Sequence, residues 1–219
     1  MDYFKDQQSR WIWFPRSKHS QTDSLGSHPA PYLRKEFDCK NIIDTKMAVC
    51  GLGYHAVYIN GRRVGDHVLD PIVSIYDKHA RYVLHDVSGY LKKGRNAIGV
   101  VLGNGWYNCQ TEEVWNFIKA SWRDSPKLRL EIRGAKGELI LGSDLSWKCS
   151  EGPIRFNSLR NGEVYDANYE LGAWTETSYK DSQWFNTALA PSPGGFLEEQ
   201  IAVPCRVVET IEMSGPNRM

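Results

Sequence analysis

The stretch TKMAVCGLGYHAVYINGRRVGD, residues 45–66, decides the fold. Asn60-Gly61 is the pair that a two-residue type I′ turn requires, because both central positions take a positive φ. The apolar and β-branched runs on either side then read as a strand pair closed by that turn. Upstream, PYLRKEFD (31–38) alternates, with Tyr32, Arg34 and Glu36 on one side and Leu33, Lys35 and Phe37 on the other. Downstream, residues 80–106 give a strand, a short turn around Ser88 to Leu91, a second turn at Lys93-Gly94, and then AIGVVLG. The continuous apolar character of that last run predicts a central strand buried on both faces.

Further strand-length runs follow at short spacing: KLRLEIRG (127–134), GELILGSD (137–144), SWKCS (146–150), GEVYDANYEL (162–171) and VPCRVVETIEM (203–213). No long run carries apolar residues at helical spacing. The expected fold is therefore all-β, an antiparallel β-sandwich of jelly-roll type. Residues 1–30 read as an N-terminal strand and surface loop of the sandwich, 31–211 as the sandwich itself, and 212–219 as a tail.

The chain has 219 residues, 41% of them hydrophobic, and 27 basic against 26 acidic residues, enough to bury a core without metals or disulfides. Its net charge of +1, with Lys and Arg spread along the chain, argues against nucleic acid as a partner. No run approaches transmembrane length, and the first twenty residues are too charged for a signal peptide, so no membrane partner is expected. Five cysteines without C-x-x-C spacing suit reduced thiols, which points to the cytoplasm.

Chemistry-bearing motifs are scarce. The six histidines show no H-x-x-x-H or H-x-H, and none lies beside a cysteine at ligand spacing, which argues against zinc. There is no G-x-S-x-G elbow and no phosphate-binding glycine loop. No cofactor is expected; calcium on oxygen side chains near strand ends, Asp70, Asp77 and Asp86, is the single candidate ion. Glu163 and Asp166 are the best pair of carboxylates. In a strand, though, they point to opposite faces about 10 Å apart along the chain, beyond the ~5–9.5 Å used in glycoside hydrolysis.

Aromatic residues are the stronger signal. GNGWYNCQTEEVWNFIKASWRD (103–124) gathers Trp106, Tyr107, Trp115, Phe117 and Trp122 in a segment too aromatic for a solvated loop and too irregular for a strand. Trp106 and Tyr107, next to the buried strand, are expected to anchor inward. Trp115, Phe117 and Trp122 are expected nearer the surface, as contacts for a sugar or for another domain.

Taken together, YHAVYINGRRVGDHVLDP (54–71), RYVLHDVSGYLKKGRNAIGVVLGNGWYN (81–108), GEVYDANYE (162–170) with GAW (172–174), and QWFNTALAPSPGGFLEEQIAVPCRVVETI (183–211) resemble the N-terminal region of bacterial α-L-rhamnosidases of glycoside hydrolase family 78. The likeness runs from about Trp11 to Ile211. It implies a galactose-binding-like jelly roll ahead of a catalytic (α/α)₆ barrel, in which paired acidic residues perform inverting hydrolysis. Nothing in this chain resembles that barrel, so the chain alone is expected to be inactive and to frame the catalytic part. Its partners would be the remaining domains of the enzyme. The alternative is a carbohydrate-binding module for L-rhamnose or a rhamnosylated glycan. Some members of the family bind rhamnose through calcium held by an Asp-Asn pair before the first hairpin strand; here Gly53-Tyr54 stand in that place. The sugar or interdomain contacts expected are Trp106, Tyr107, Trp115, Trp122, Glu163 and Asp166.

Overall fold

A computed structural model describes residues 3–5, 8–15, 28–110 and 115–212. In chain order its strands are β1 (Ile12–Trp13), β2 (Pro31–Cys39), β3 (Lys46–Leu52), β4 (Tyr54–Ile59), β5 (Arg62–Arg63), β6 (His67–Val68), β7 (His79–Asp86), β8 (Gly94–Gly103), β9 (Lys127–Arg133), β10 (Leu139–Gly142), β11 (Lys148–Glu151), β12 (Ile154–Ser158), β13 (Gly162–Tyr165), β14 (Phe185–Asn186), β15 (Ala188–Leu189), β16 (Phe196–Glu199) and β17 (Cys205–Arg206). One sheet runs β15-β1-β9-β3-β7-β16 with β10 added to β9, and the other runs β14-β11-β2-β8-β4-β5. Pairing within both is antiparallel except between β16 and β7, which run parallel. The chain is an all-β sandwich, as its alternation predicts.

The core lies between the sheets and follows the period of two. Leu128, Leu130 and Ile132 of β9 and Met47 and Val49 of β3 face Leu33 and Phe37 of β2 and Ile98, Val100 and Leu102 of β8. Burying such a side chain contributes roughly 1.5–3 kcal/mol each. β8 sits centrally between β2 and β4, and Ala97 to Val100 are fully buried.

The hairpin turn closes as its residues require: Asn60 has φ 50° and Gly61 φ 80°. Its register pairs Ile59 with Arg62 and Tyr58 with Arg63. The Asn60 side chain carries the turn across to β8, since its Oδ1 accepts from the Ala97 N–H at 3.0 Å. The expected single strand before the turn is instead two. β3 and β4 belong to different sheets, and the chain crosses between them at Gly53. A Cβ there would fall 1.9 Å from the Asn104 carbonyl oxygen, so only glycine permits the crossing. Gly53, one of the two positions where the family resemblance would put calcium ligands, thus has no room for a side chain.

Both outer faces are covered. On the seven-stranded sheet, Ala48 of β3 lies under Tyr3 and Phe4, while Cys50 and Leu52 lie under Trp11, Tyr76 and Tyr107. On the six-stranded sheet, Tyr32 lies under Trp174 and Trp184. Gly99 makes room for this covering, since a Cβ there would meet the Trp174 ring at 2.4 Å.

The strand expected over 203–213 shrinks to β17, which pairs only with the two residues of β6. Alternation supplies a suitable face but no partner, and Val207 to Glu212 are exposed without strand pairing among the described residues. The surface loop expected from Pro15 lies largely outside the described residues, as does most of the tail. Among the described residues no helix is long and apolar enough to cross a membrane.

Candidate functional site

The aromatic segment leaves β8 through Asn104, which is held at both ends. Its N–H donates to Asn157 Oδ1 at 2.7 Å and its Nδ2 donates to the Asn157 carbonyl at 2.8 Å. These bonds tie the root of the loop to the β12–β13 hairpin. Tyr107 then turns inward, buried against Tyr76 with ring centroids 5.2 Å apart. Desolvation pushes the phenols of Tyr76 and Tyr107 well above their ordinary range, so both stay neutral. Beneath them Lys127 Nζ sits 5.6 Å from the Tyr107 ring centre and 2.7 Å from Asp124 Oδ2. Burial lowers the Lys127 pKa, and the Asp124 carboxylate opposes that loss.

From Tyr76 the rings climb outward. Trp122 is 6.0 Å from Tyr76, Phe117 is 5.7 Å from Trp122, and Trp106 meets Phe117 edge-on at 5.7 Å. Trp115 stacks on Trp106 at 6.1 Å and is 76% exposed. Trp115 and Asn116 both take positive φ, 43° and 55°, which turns the loop tip outward. Of the expected contact residues, then, Tyr107 is buried, Trp106 and Trp122 are half-buried, and Trp115 is at the surface. Four atoms in or beside this ladder, Tyr76 OH, Asp77 Oδ1, Asn108 Oδ1 and Trp122 Nε1, are buried with no hydrogen-bond partner among the described residues.

Glu163 and Asp166 sit in different settings. Glu163 lies on β13 opposite Asn157, lining an open cleft of about 420 Å³ with Tyr54, Arg63, Leu69 and Asn157. The Asp166 carboxylate is committed locally, accepting from the Asn168 N–H at 3.0 Å to cap a 3₁₀ turn over Ala167–Tyr169.

The three aspartates proposed for calcium are also separately engaged. Asp86 pairs with Lys46 at 2.6 Å, and that bond, with those from Ser88, pulls its carboxyl down to about 2. Asp77 Oδ2 accepts from the Ser121 hydroxyl at 3.4 Å. Asp70 turns instead toward histidine, and His67, Asp70 and His85 bring their ligand-capable atoms within 4.8 Å of one another. Spacing along the chain hides this group, because His85 arrives from β7 of the seven-stranded sheet, whereas β6 pairs with β17 outside that sheet.

Residues 40–209 match the family described as "Alpha-L-rhamnosidase N-terminal domain". An α-L-rhamnosidase of Formosa agariphila is 37% identical over 203 residues, covering 88% of this chain and 21% of the relative. The solved α-L-rhamnosidase of Dictyoglumus thermophilum superposes with a TM-score of 0.78 at 34% identity, covering 94% of this chain and 24% of that one. That of Aspergillus terreus gives 0.81 at 29% identity, covering 93% and 23%. The chain thus spans roughly a fifth to a quarter of the length of these relatives. The match takes in the Asn60-Gly61 hairpin, the aromatic loop and the β12–β13 hairpin together, and the chain belongs to the α-L-rhamnosidase N-terminal domain family.

Proposed function

We propose that this chain is a non-catalytic β-sandwich domain of a larger α-L-rhamnosidase, framing a catalytic part that lies elsewhere in the enzyme. The observation that carries this reading is the apolar surface left bare along the last described segment. Ile201 is 92% exposed and Val208 97%, and Phe196, Val203, Val207 and Ile211 are exposed beside them in sequence. Monomeric proteins seldom leave such surface uncovered, and it suits contact with further domains. The carboxylates support the same reading: Asp166 is spent on a cap, and among the described residues Glu163 has no second acid with it in the cleft. An assay of aryl α-L-rhamnoside hydrolysis tests it, with no turnover expected from the purified chain. Turnover that copurifies with the chain and disappears in Glu163→Gln would overturn it.

The cleft lined by Tyr54, Arg63, Asn157 and Glu163 favours a second reading, a module that holds a sugar. Its volume suits a monosaccharide, and it joins an aromatic ring to a cation, an amide and a carboxylate. Calorimetric titration with L-rhamnose, with calcium and then with chelator, decides between them. Saturable heat lost in Arg63→Ala supports the module, and a flat trace from folded protein leaves the scaffold.

A further inference from the structure

Beside the Asn60-Gly61 hairpin, a buried carboxylate stands between two imidazoles. Asp70 is 3% exposed, and its Oδ2 lies 2.7 Å from His67 Nδ1. Its Oδ1 accepts from Gln200 Nε2 at 3.0 Å, which fixes the plane of the carboxylate. The His85 ring stands 5.3 Å from the His67 ring, and no hydrogen bond engages its nitrogens among the described residues. Gly65 allows the approach: its φ is +69°, and a Cβ there would come within 3.1 Å of His85 Nδ1. His55, His67, Asp70 and His85 line a void of about 10 Å³, close to the size of a single water or ion.

We propose that His67, Asp70 and His85 form a binding site for a first-row divalent metal ion, zinc fitting best, with water completing the coordination. Two imidazoles and a carboxylate are a donor set that zinc takes at about 2.0–2.2 Å in tetrahedral geometry, with an open position for water. Imidazole ligands favour zinc, copper and nickel over calcium or magnesium, which prefer oxygen alone. The ion takes the place of the proton shared by His67 Nδ1 and Asp70 Oδ2, and His85 closes on it from β7. Burial drives the His85 pKa down to about 4, so its lone pair is available at neutral pH without a proton to displace.

Binding has a local consequence. Arg206 Nη2 lies 3.2 Å from His67 Nε2, and guanidinium only donates, so Nε2 accepts and Nδ1 carries the proton. With metal on Nδ1, the proton displaced from it moves to Nε2, so the ring stays neutral and Arg206 keeps only its bond to Asp66, 2.8 Å long. The ion would cross-link β6 and β7 and, through Gln200, the segment after β16.

The test is titration of the chelator-stripped chain with zinc chloride, read by calorimetry and by thermal unfolding. One equivalent should bind and raise Tm. His85→Gln should weaken binding by more than the ~10–100-fold that loss of an outer-shell partner costs, and so should Asp70→Asn. Arg206→Ala, which removes the competing donor, should bind at least as tightly as the parent. His79→Gln and Cys205→Ser, both at exposed positions, should bind as the parent does. Asp70→Asn disturbs buried bonds to His67 and Gln200 and so tests folding as well, whereas His85→Gln removes no hydrogen bond among the described residues and keeps the test decisive. No saturable binding by folded protein, or affinity unchanged in His85→Gln, would overturn the proposal.

Discussion

Two tryptophan-rich coverings lie on this sandwich and end differently. Over the six-stranded sheet, Trp174 stacks on Trp184 at 6.0 Å, Tyr179 meets Trp184 edge-on at 5.9 Å, and the group closes around Arg34. Arg34 is 1% exposed and bonds to Asp181, to Glu36 at 3.0 Å, and to the carbonyls of Trp174 and Glu176. The ladder from Tyr107 to Trp115 has a buried cation only at its root, Lys127, and ends in an open ring. A covering locked by a buried, multiply bonded cation serves the fold. One that climbs to an exposed ring leaves its end open.

The sharpest way to break this contrast is truncation. Trp174→Ala should cost about 3 kcal/mol in urea unfolding, toward the low end for tryptophan because the ring is half-buried. A cost below 1 kcal/mol would mean that the closed covering is no more structural than the open one. Gly99→Ala should cost roughly 1–3 kcal/mol by driving a methyl into the Trp174 ring and the Thr175 side chain. Combined with Trp174→Ala the loss should be less than additive, because the clash and the ring go together.

Acid separates the regions further. Burial of His55 and His85 lowers both pKa values to about 4, against about 6.5 in the unfolded chain. Between those values the unfolded state binds more protons, so stability falls as pH drops from about 6.5 to 4, by on the order of 1–2 kcal/mol for His85. His85→Gln should flatten that slope without touching either covering. Glu36 acts lower. Burial raises its carboxyl, but hydrogen bonds from Arg34, Arg95 and the Ser178 N–H outweigh this and hold it below the ordinary range. Its contribution is present above about pH 4.3 and lost as pH falls through the depressed value. Near-UV circular dichroism of the Trp174–Trp184 pair should therefore change in that lower window in the parent but not in Glu36→Gln. The smallest effect should be Trp115→Ala, within about 0.5 kcal/mol of the parent; a larger loss would make the ladder tip part of the fold.

The sandwich was legible because burial in strands repeats every two residues, and Asn60-Gly61 could serve only one turn. AIGVVLG announced a central strand for the same reason. What escaped was set by contacts distant in sequence. Alternation puts Arg34 on one side of β2 with Tyr32 and Glu36, but its burial depends on the segment from Trp174 to Asp181 that folds over it. Gly53 falls within the run read as one strand, and its role depends on an Asn104 carbonyl that follows β8. The aromatic segment was conspicuous, but composition cannot rank Tyr107, Trp122 and Trp115 by depth. His67, Asp70 and His85 share no sequence motif, since tertiary packing brings His85 of β7 beside His67 and Asp70.

The central claim is that the bare ladder tip and the apolar run after β16 meet the rest of a larger rhamnosidase. Oxidative footprinting of the isolated chain beside the same residues in the longer enzyme tests it most directly. Labelling of Trp115, Ile201 and Val208 should fall sharply in the longer enzyme, while Ile43, exposed on the loop before β3, stays equally reactive in both. Equal labelling of all four would contradict the account and leave this surface without the partner assigned to it.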